Sequence, residues 1–175
     1  MRIIISGLTA IVAIELFYLR VISQVAVARL SIDPATITIP EIDFKPRTAN
    51  DFFRRGNGRK KVRDYRGAIS DYNRSIELNP IFFSAYLQRG ILRQEMRDYR
   101  GSIYDYSMAI GLNPNLPQAH YYRGISYRKL DQPKLSMLDF QRAAKLFEIK
   151  GEIANARSAL NAMQQLKFEV NKKTF

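Results

Sequence analysis

Residues able to do chemistry are scarce in this 175-residue sequence. The chain has no cysteine, which excludes a thiolate nucleophile and a thiolate metal site, and its one histidine is His120. No paired carboxylates have the spacing of a metal or acid–base site, and no glycine-rich phosphate loop is present. We therefore expect no enzyme activity, no catalytic residue, no metal and no cofactor.

The most regular polar feature is an arginine followed 16 residues later by an aspartate, and it occurs three times. If two facing helices carry the partners, a bidentate ion pair can form, and removing one partner would leave an uncompensated charge. We interpret these pairs as structural, with an anion-binding site as the alternative. The pairs are Arg55 with Asp71, Arg89 with Asp105, and Arg123 with Asp139.

The pairs belong to a longer pattern that repeats every 34 residues. A glycine follows each arginine, an aromatic residue follows each aspartate, and Asn-Pro closes the first two units. The repeated residues are Gly56, Gly90 and Gly124, then Tyr72, Tyr106 and Phe140, with Pro80 and Pro114. This pattern resembles the tetratricopeptide repeat, a helix-turn-helix unit that stacks into a solenoid.

The resemblance implies an all-α, right-handed solenoid within a domain spanning 49–170. Its repeats would cover 49–82, 83–116 and 117–150, followed by a cap helix over 151–168. The recurring glycine would let the two helices of a unit, A and B, approach closely. The predicted helices run over 49–62, 65–78, 81–96, 99–112, 117–130, 133–147 and 152–168.

In the family, helix A lines a concave groove that holds a peptide, and the resemblance places a set of groove residues here. A lysine and asparagine clamp in some members grips a chaperone's C-terminal carboxylates. Asn57 matches that clamp, but Phe53, Gln118 and Tyr122 stand where cations would be needed. Alternatively, part of the set packs between adjacent A helices or lies under the linker. The set is Phe53, Asn57, Lys60, Leu87, Ile91, Tyr121, Ile125 and Arg128.

Residues 1–30 combine a basic start with an apolar run over 3–14, which is typical of a targeting or membrane segment. One interpretation is a cleavable export signal ending in Ala26, Val27 and Ala28. Another is an uncleaved anchor helix, in which apolar residues outweigh Glu15 and Arg20. A helix buried against protein is the third.

Residues 31–48 contain prolines at 34, 40 and 46, a spacing that disfavours a helix and predicts an extended linker. The linker would hold the repeat domain off a membrane, or its apolar residues would lie against the solenoid. Read as an anchor or as a signal, the N-terminal segment predicts a protein that is membrane-anchored or exported to the cell envelope, on an undetermined side of the membrane.

The formal net charge is +12, from 28 Lys and Arg against 16 Asp and Glu. Such a charge attracts anionic partners, although dispersed solvated cations would look the same in the sequence. We predict a non-catalytic module that binds a protein or peptide in its groove. The alternative is a basic module for an anionic surface, with lipid headgroups favoured over nucleic acid; a homo-oligomer formed through the repeats is a third role.

Overall fold

The computed structural model describes residues 46–173, and this stretch is helical apart from short connections. The predicted N-terminal hydrophobic segment and almost all of the predicted linker lie outside the described residues. Within 46–173, every helix falls short of the length or apolarity that crossing a bilayer requires. The helices of this stretch are α1 Ala49–Lys61, α2 Tyr65–Leu78, α3 Phe83–Glu95, α4 Tyr99–Leu112, α5 Pro117–Lys129, α6 Pro133–Ile149 and α7 Ile153–Lys173.

Helix starts are set by side-chain caps and by proline. The hydroxyl of Thr48 accepts a hydrogen bond from the Asp51 amide at 3.1 Å, and the Asp51 carboxylate accepts one from the Thr48 amide at 3.0 Å. This reciprocal pair satisfies two amides that the first turn of α1 leaves free. Pro117 and Pro133 open α5 and α6, where the missing proline N–H costs nothing.

The starts of α2 and α4 share a cap that depends on glycine. Asp64 accepts a hydrogen bond from the Gly67 amide at 3.0 Å, and Asp98 accepts one from the Gly101 amide at 2.9 Å. A Cβ at Gly67 would lie 2.1 Å from the Asp64 carboxylate, and one at Gly101 would lie 2.0 Å from Asp98. The cap therefore requires glycine three residues after the aspartate.

Tight turns join the two helices of each hairpin. The turns comprise residues 62–64, 96–98 and 130–132, and their central residues have φ angles of 62° at Arg63, 64° at Arg97 and 53° at Asp131. These values lie in the left-handed region, which reverses the chain in few residues. The helices of each hairpin are therefore antiparallel, and the three turns lie along one edge of the domain.

Each hairpin closes around a fully buried aromatic ring that contacts a glycine of the facing helix. A side chain at the glycine would collide with the ring, so glycine is what allows the two helices to approach. The contacts, measured from an ideal Cβ built on the glycine, are 2.7 Å for Gly56 and Tyr72, 2.8 Å for Gly90 and Tyr106, and 3.0 Å for Gly124 and Phe140.

The hairpins stack in chain order, with α2 against α3 and α4 against α5, and α7 packs on α6. The helices α1, α3, α5 and α7 thus form one layer, and α2, α4 and α6 form the other. At the end of the stack, Ala156 and Ala159 of α7 cover Ala143, Ala144 and Phe147 of α6. This contact closes the core of the third hairpin.

Three helix bounds differ from the sequence prediction by two residues or more: the start of α3, the end of α6 at Ile149, and the end of α7. α3 begins at Phe83 rather than at residue 81, because the Asn79 side chain accepts a hydrogen bond from the Ile81 amide at 3.2 Å and holds a turn there. α7 continues to Lys173, five residues beyond the predicted end. Its last turns pack beside the end of α5, where Leu166 is buried.

Candidate functional site

The structure brings each predicted arginine and aspartate together across a hairpin. Arg89 donates from Nε and Nη2 to Asp105, with its shortest contact at 2.6 Å, and Asp105 is fully buried. Arg55 makes the same contacts to Asp71, but its side chain is 36% exposed. These are bidentate pairs within one hairpin, and their burial increases toward the middle of the stack.

Two of these arginines also reach the preceding hairpin. Arg89 Nη1 donates to the Asn73 side chain of α2 at 2.7 Å, and Arg123 Nη1 donates to the Ser107 hydroxyl of α4 at 3.0 Å. One guanidinium therefore joins the two helices of its own unit and the second helix of the unit before it. Because these donor groups are already used, the arrangement favours a structural role over an anion site.

Each of the three aspartates also contacts a second basic side chain. Arg59 lies 3.2 Å from Asp71, and Arg93 lies 2.9 Å from Asp105. In the third hairpin the second partner is a histidine. The Nδ1 atom of His120 lies 3.1 Å from Asp139, and His120 must be the donor because an ionised carboxylate can only accept. His120 is thus a buried packing residue with a satisfied ring nitrogen.

These surroundings shift the carboxyl pKa values in opposite directions. Burial raises the pKa of Asp139, but the hydrogen bonds from Arg123 and His120 outweigh it, so the pKa lies below its ordinary value. Burial also raises the pKa of Asp105, and there Arg89 and Arg93 do not fully offset it. The difference follows from burial, since Asp105 is the more completely enclosed carboxylate.

Within residues 46–173, no group of three histidine, aspartate or glutamate side chains is arranged to hold a metal ion. The surface to which the repeat resemblance assigns binding is the groove of the layer formed by α1, α3, α5 and α7.

The predicted groove residues are all carried by α1, α3 and α5 of that layer, and all are partly buried. At the N-terminal end, the apolar residues that were predicted to line the groove pack against the core. The ring of Phe53 lies 4.9 Å from that of Phe82 and 5.9 Å from that of Tyr72, and Leu87 packs on the cluster around Tyr86. The alternative that part of this set serves packing therefore applies to Phe53 and Leu87.

Polar residues of the same set are held by internal hydrogen bonds. Asn57 accepts from the Tyr72 hydroxyl at 2.8 Å, and Lys60 donates to the Gln88 side chain at 3.1 Å. Arg128 forms an ion pair with Glu169 of α7. The cations of the groove are thus partly neutralised or engaged, and the groove has less positive character than its sequence indicates.

The C-terminal end of the groove is open. Tyr121 contacts Phe140 at a ring distance of 5.6 Å and also borders two clefts between α5 and α7. One cleft, of about 460 Å³, is lined by Tyr121, Ile125 and residues of α7 that include Asn161 and Gln165. The other, of about 240 Å³, lies between Gln118 and Asn155. Ile91 lies on α3, between these two ends of the groove layer, and is partly buried.

Sequence reasoning missed the α7 side of this groove. The predicted set of groove residues includes none from the cap helix, yet the exposed residues Ser158, Asn161 and Gln165 of α7 line the larger cleft beside α5. The order of the helices could have revealed this role. Helices A and B alternate along the chain, so α7, which follows the last helix B, takes the place of a helix A and extends the groove layer.

Neither a protein-family model nor a curated protein sequence matches the chain. Among solved structures, the yeast Sti1 TPR2B domain in complex with pHsp70 is similar, with a TM-score of 0.65 and 16% identity over 69% of this chain and 97% of that one. The first TPR of Spaghetti (RPAP3), bound to an HSP90 peptide, has a TM-score of 0.56 and 22% identity, covering 65% of this chain and 94% of that one.

The protein has a tetratricopeptide-repeat fold. A crystal structure of MamA is also similar, with a TM-score of 0.58 and 22% identity over 60% of this chain, and here the chain spans 61% of the other protein. At such identities the likeness concerns the fold of the TPR domain. It confirms the predicted repeat resemblance and the all-α class.

Proposed function

We propose that this TPR domain is a non-catalytic interaction module that binds a peptide segment of a partner protein between α5 and α7. The observation that carries the proposal is the open cleft of about 460 Å³ beside Tyr121 and Ile125, at the point where the groove floor is no longer drawn into the core. TPR domains of the same fold, Sti1 TPR2B and RPAP3, are solved in complex with Hsp70 and HSP90 peptide ligands.

The lining of the clefts suits a largely apolar peptide segment, and Arg128 and Lys129 also border the larger cleft. Tyr121 and Ile125 offer apolar surface, while Gln118, Asn155 and Asn161 offer side-chain amides. An amide both donates and accepts hydrogen bonds, so it can pair with the N–H and C=O groups of an extended peptide. An aromatic or aliphatic side chain of the ligand would fill the apolar part, as the anchors of peptide interfaces do.

A ligand recognised through terminal carboxylates fits this groove poorly. Gln118 and Tyr122 line the smaller cleft at positions where the clamp would need cations, and Asn57 is already bonded to Tyr72. Of the two cations that line the larger cleft, Arg128 is paired with Glu169, and Lys129 alone does not supply the several cations that the clamp needs. The proposed ligand is therefore an internal, apolar-anchored segment rather than an acidic chain end.

The test uses the full chain to select binders from a library of displayed random peptides, followed by affinity measurements on the enriched peptides. Asn161→Arg places a long side chain in the cleft without removing a core contact, because Asn161 is exposed. We expect it to weaken binding at least about tenfold, which corresponds to about 1.4 kcal/mol. Gln164→Arg, exposed on the same helix and outside the cleft, is the matched control and should bind normally.

If no peptide is enriched, or if Asn161→Arg and Gln164→Arg bind equally well, the cleft is not the peptide site. Circular dichroism must show the same helix content in both variants, so that a loss of binding cannot come from unfolding.

We further propose that the domain acts while tethered to a membrane or after export to the cell envelope. Support comes from the sequence alone, namely the apolar run over 3–14 and the small residues over 26–28. N-terminal sequencing of the mature protein distinguishes the two forms. A start after residue 28 indicates a cleaved signal, whereas an intact N-terminus in a membrane fraction resistant to alkaline extraction indicates an anchor. An intact protein that stays in the soluble fraction contradicts both.

A further inference from the structure

One edge of the domain carries more exposed cations than the other. The edge comprises the turns 62–64, 96–98 and 130–132, the helix ends beside them, and the last turns of α7, which lie next to the α5–α6 turn. We call it the turn edge. Its exposed cations number nine, against five carboxylates at Asp64, Glu95, Asp98, Asp131 and Glu169. The cations are Lys61, Arg63, Arg66, Arg97, Arg100, Lys129, Lys134, Lys167 and Lys172.

The cations of the turn edge recur at the repeat period, so the stacked hairpins set them in rows. Arg63 and Arg97 occupy the centres of successive turns, and Arg66, Arg100 and Lys134 begin successive B helices. Folding thus gathers on one edge the charges that look dispersed in the sequence.

Several carboxylates of this edge have partners within the protein. Asp64 and Asp98 accept helix-capping hydrogen bonds and lie near arginines, and Glu169 is paired with Arg128. Their negative charge is therefore partly offset by neighbours within the protein. The edge consequently presents a positive field to an external anion.

Large apolar side chains stand between these cations. Val62 is 76% exposed, Met96 47% and Phe168 73%. The opposite edge also exposes apolar residues, Ile81 and Ile149, but the α4–α5 connection there, residues 113–116, carries no charge at all. Cations interleaved with exposed apolar side chains are typical of surfaces that lie on an anionic bilayer, since the cations meet headgroups and the apolar groups reach the acyl region.

We propose that the turn edge docks the domain on an anionic membrane surface. The larger cleft between α5 and α7 shares Lys129 with the turn edge, but none of the residues changed in the tests below lines either cleft, so this proposal stands or fails independently of peptide binding. A nucleic acid could bind the same cations, but nucleic-acid binding would not explain why the side chains of Val62 and Met96 are exposed among them.

The absence of cysteine allows a direct test with the full chain. Met96→Cys places an environment-sensitive fluorophore on the turn edge, and Ile149→Cys places it on the opposite edge at a position that is 73% exposed. Each labelled protein is mixed with vesicles of phosphatidylcholine, with and without phosphatidylserine. We expect the probe at position 96 to brighten severalfold only with phosphatidylserine, and the probe at 149 to stay unchanged, however the N-terminal segment is bound.

A charge variant tests whether the cations select the surface. Arg66→Glu, Arg97→Glu and Arg100→Glu together should abolish the response of the position 96 probe. Raising the salt to about 1 M, where the Debye length is about 3 Å, should do the same. The matched control makes an equal charge change at three exposed positions elsewhere, Arg142→Glu, Lys145→Glu and Arg157→Glu, and should keep the response.

Three results overturn the proposal. A silent probe at position 96 means that this edge does not meet the bilayer, and equal responses at 96 and 149 mean that neither edge is preferred. An unchanged response after reversal of the three arginines means that charge does not direct the contact. If the probe is silent on vesicles while the same reversal abolishes binding to RNA or DNA, the edge serves nucleic acid instead.

Discussion

At the position of His120 the other two hairpins carry Phe52 and Tyr86, and the exchange is compensated within the third hairpin. In the first two hairpins this aromatic ring faces the arginine guanidinium of the ion pair, at 5.3 Å and 5.5 Å from the ring centre. In the third, Tyr127 provides that ring at 5.8 Å from Arg123, in a position where the others carry arginine. The two positions have exchanged their roles around Asp139, so the carboxylate keeps two donors and the arginine keeps an aromatic neighbour.

At this scale we predict that Asp105→Asn destabilises the protein by about 3–5 kcal/mol, because it leaves Arg89 buried without its counter-charge. Asp71→Asn should cost only about 1 kcal/mol, since Arg55 and Arg59 are more than one-third exposed and water can solvate them. Urea unfolding followed by circular dichroism measures both. Equal losses of stability would show that Arg55 depends on Asp71 as much as Arg89 depends on Asp105.

At the scale of the helix, glycine has opposite effects at two positions of the same layer. Gly90 allows α3 to approach Tyr106 of α4, whereas Gly58 in α1 has open space where a Cβ would be. An isolated helix is weakened by either glycine. Only packing distinguishes a glycine that the hairpin requires from one that merely lowers helix propensity.

We therefore expect Gly90→Ala to destabilise the protein by about 1–3 kcal/mol through overpacking against the Tyr106 ring. Gly58→Ala should stabilise it by about 0.5–1 kcal/mol, because alanine favours the helix and meets nothing. Thermal unfolding of both variants against the parent gives the comparison. A stabilised Gly90→Ala variant would mean that the hairpin can open without loss.

At the scale of the whole molecule, α7 is both the end of the core and one wall of the groove. Its Ala156 and Ala159 cover Phe147, while Asn161 faces the cleft beside Tyr121. A stack of hairpins that contact only their neighbours needs such a terminal helix, because the last repeat has no following unit to bury its surface. Stability and recognition thus depend on the same element.

A chain that ends at Gly151 should lose at least about 3 kcal/mol of stability, since Phe147 and its neighbours become exposed. It should also bind an apolar fluorescent dye that the parent does not. A chain that ends at Asn171 keeps the packed part of α7 and is the control, with no change expected. Unaltered unfolding of the shorter chain would show that α7 is dispensable for the core.

The sequence by itself determined the repeat. Glycine, aspartate and aromatic residues at a period of 34, with arginine and aspartate 16 apart, predicted three hairpins and the partners that meet within each of them. These features are local, because each hairpin places its own two helices face to face. The same locality explains why the helix bounds could be predicted to within a few residues except at the end of α7.

Only the tertiary structure decided which contacts form when the hairpins stack. Whether Phe53 lines a groove or packs on Phe82, and whether Arg128 is free or paired with Glu169, depends on contacts that reach beyond the two helices of one hairpin. The gathering of Arg66 and Arg100 on one edge likewise follows from superposed turns rather than from any cluster in the chain. A helix period fixes which face a residue occupies, but only the neighbouring hairpin decides how much of that face remains in contact with water.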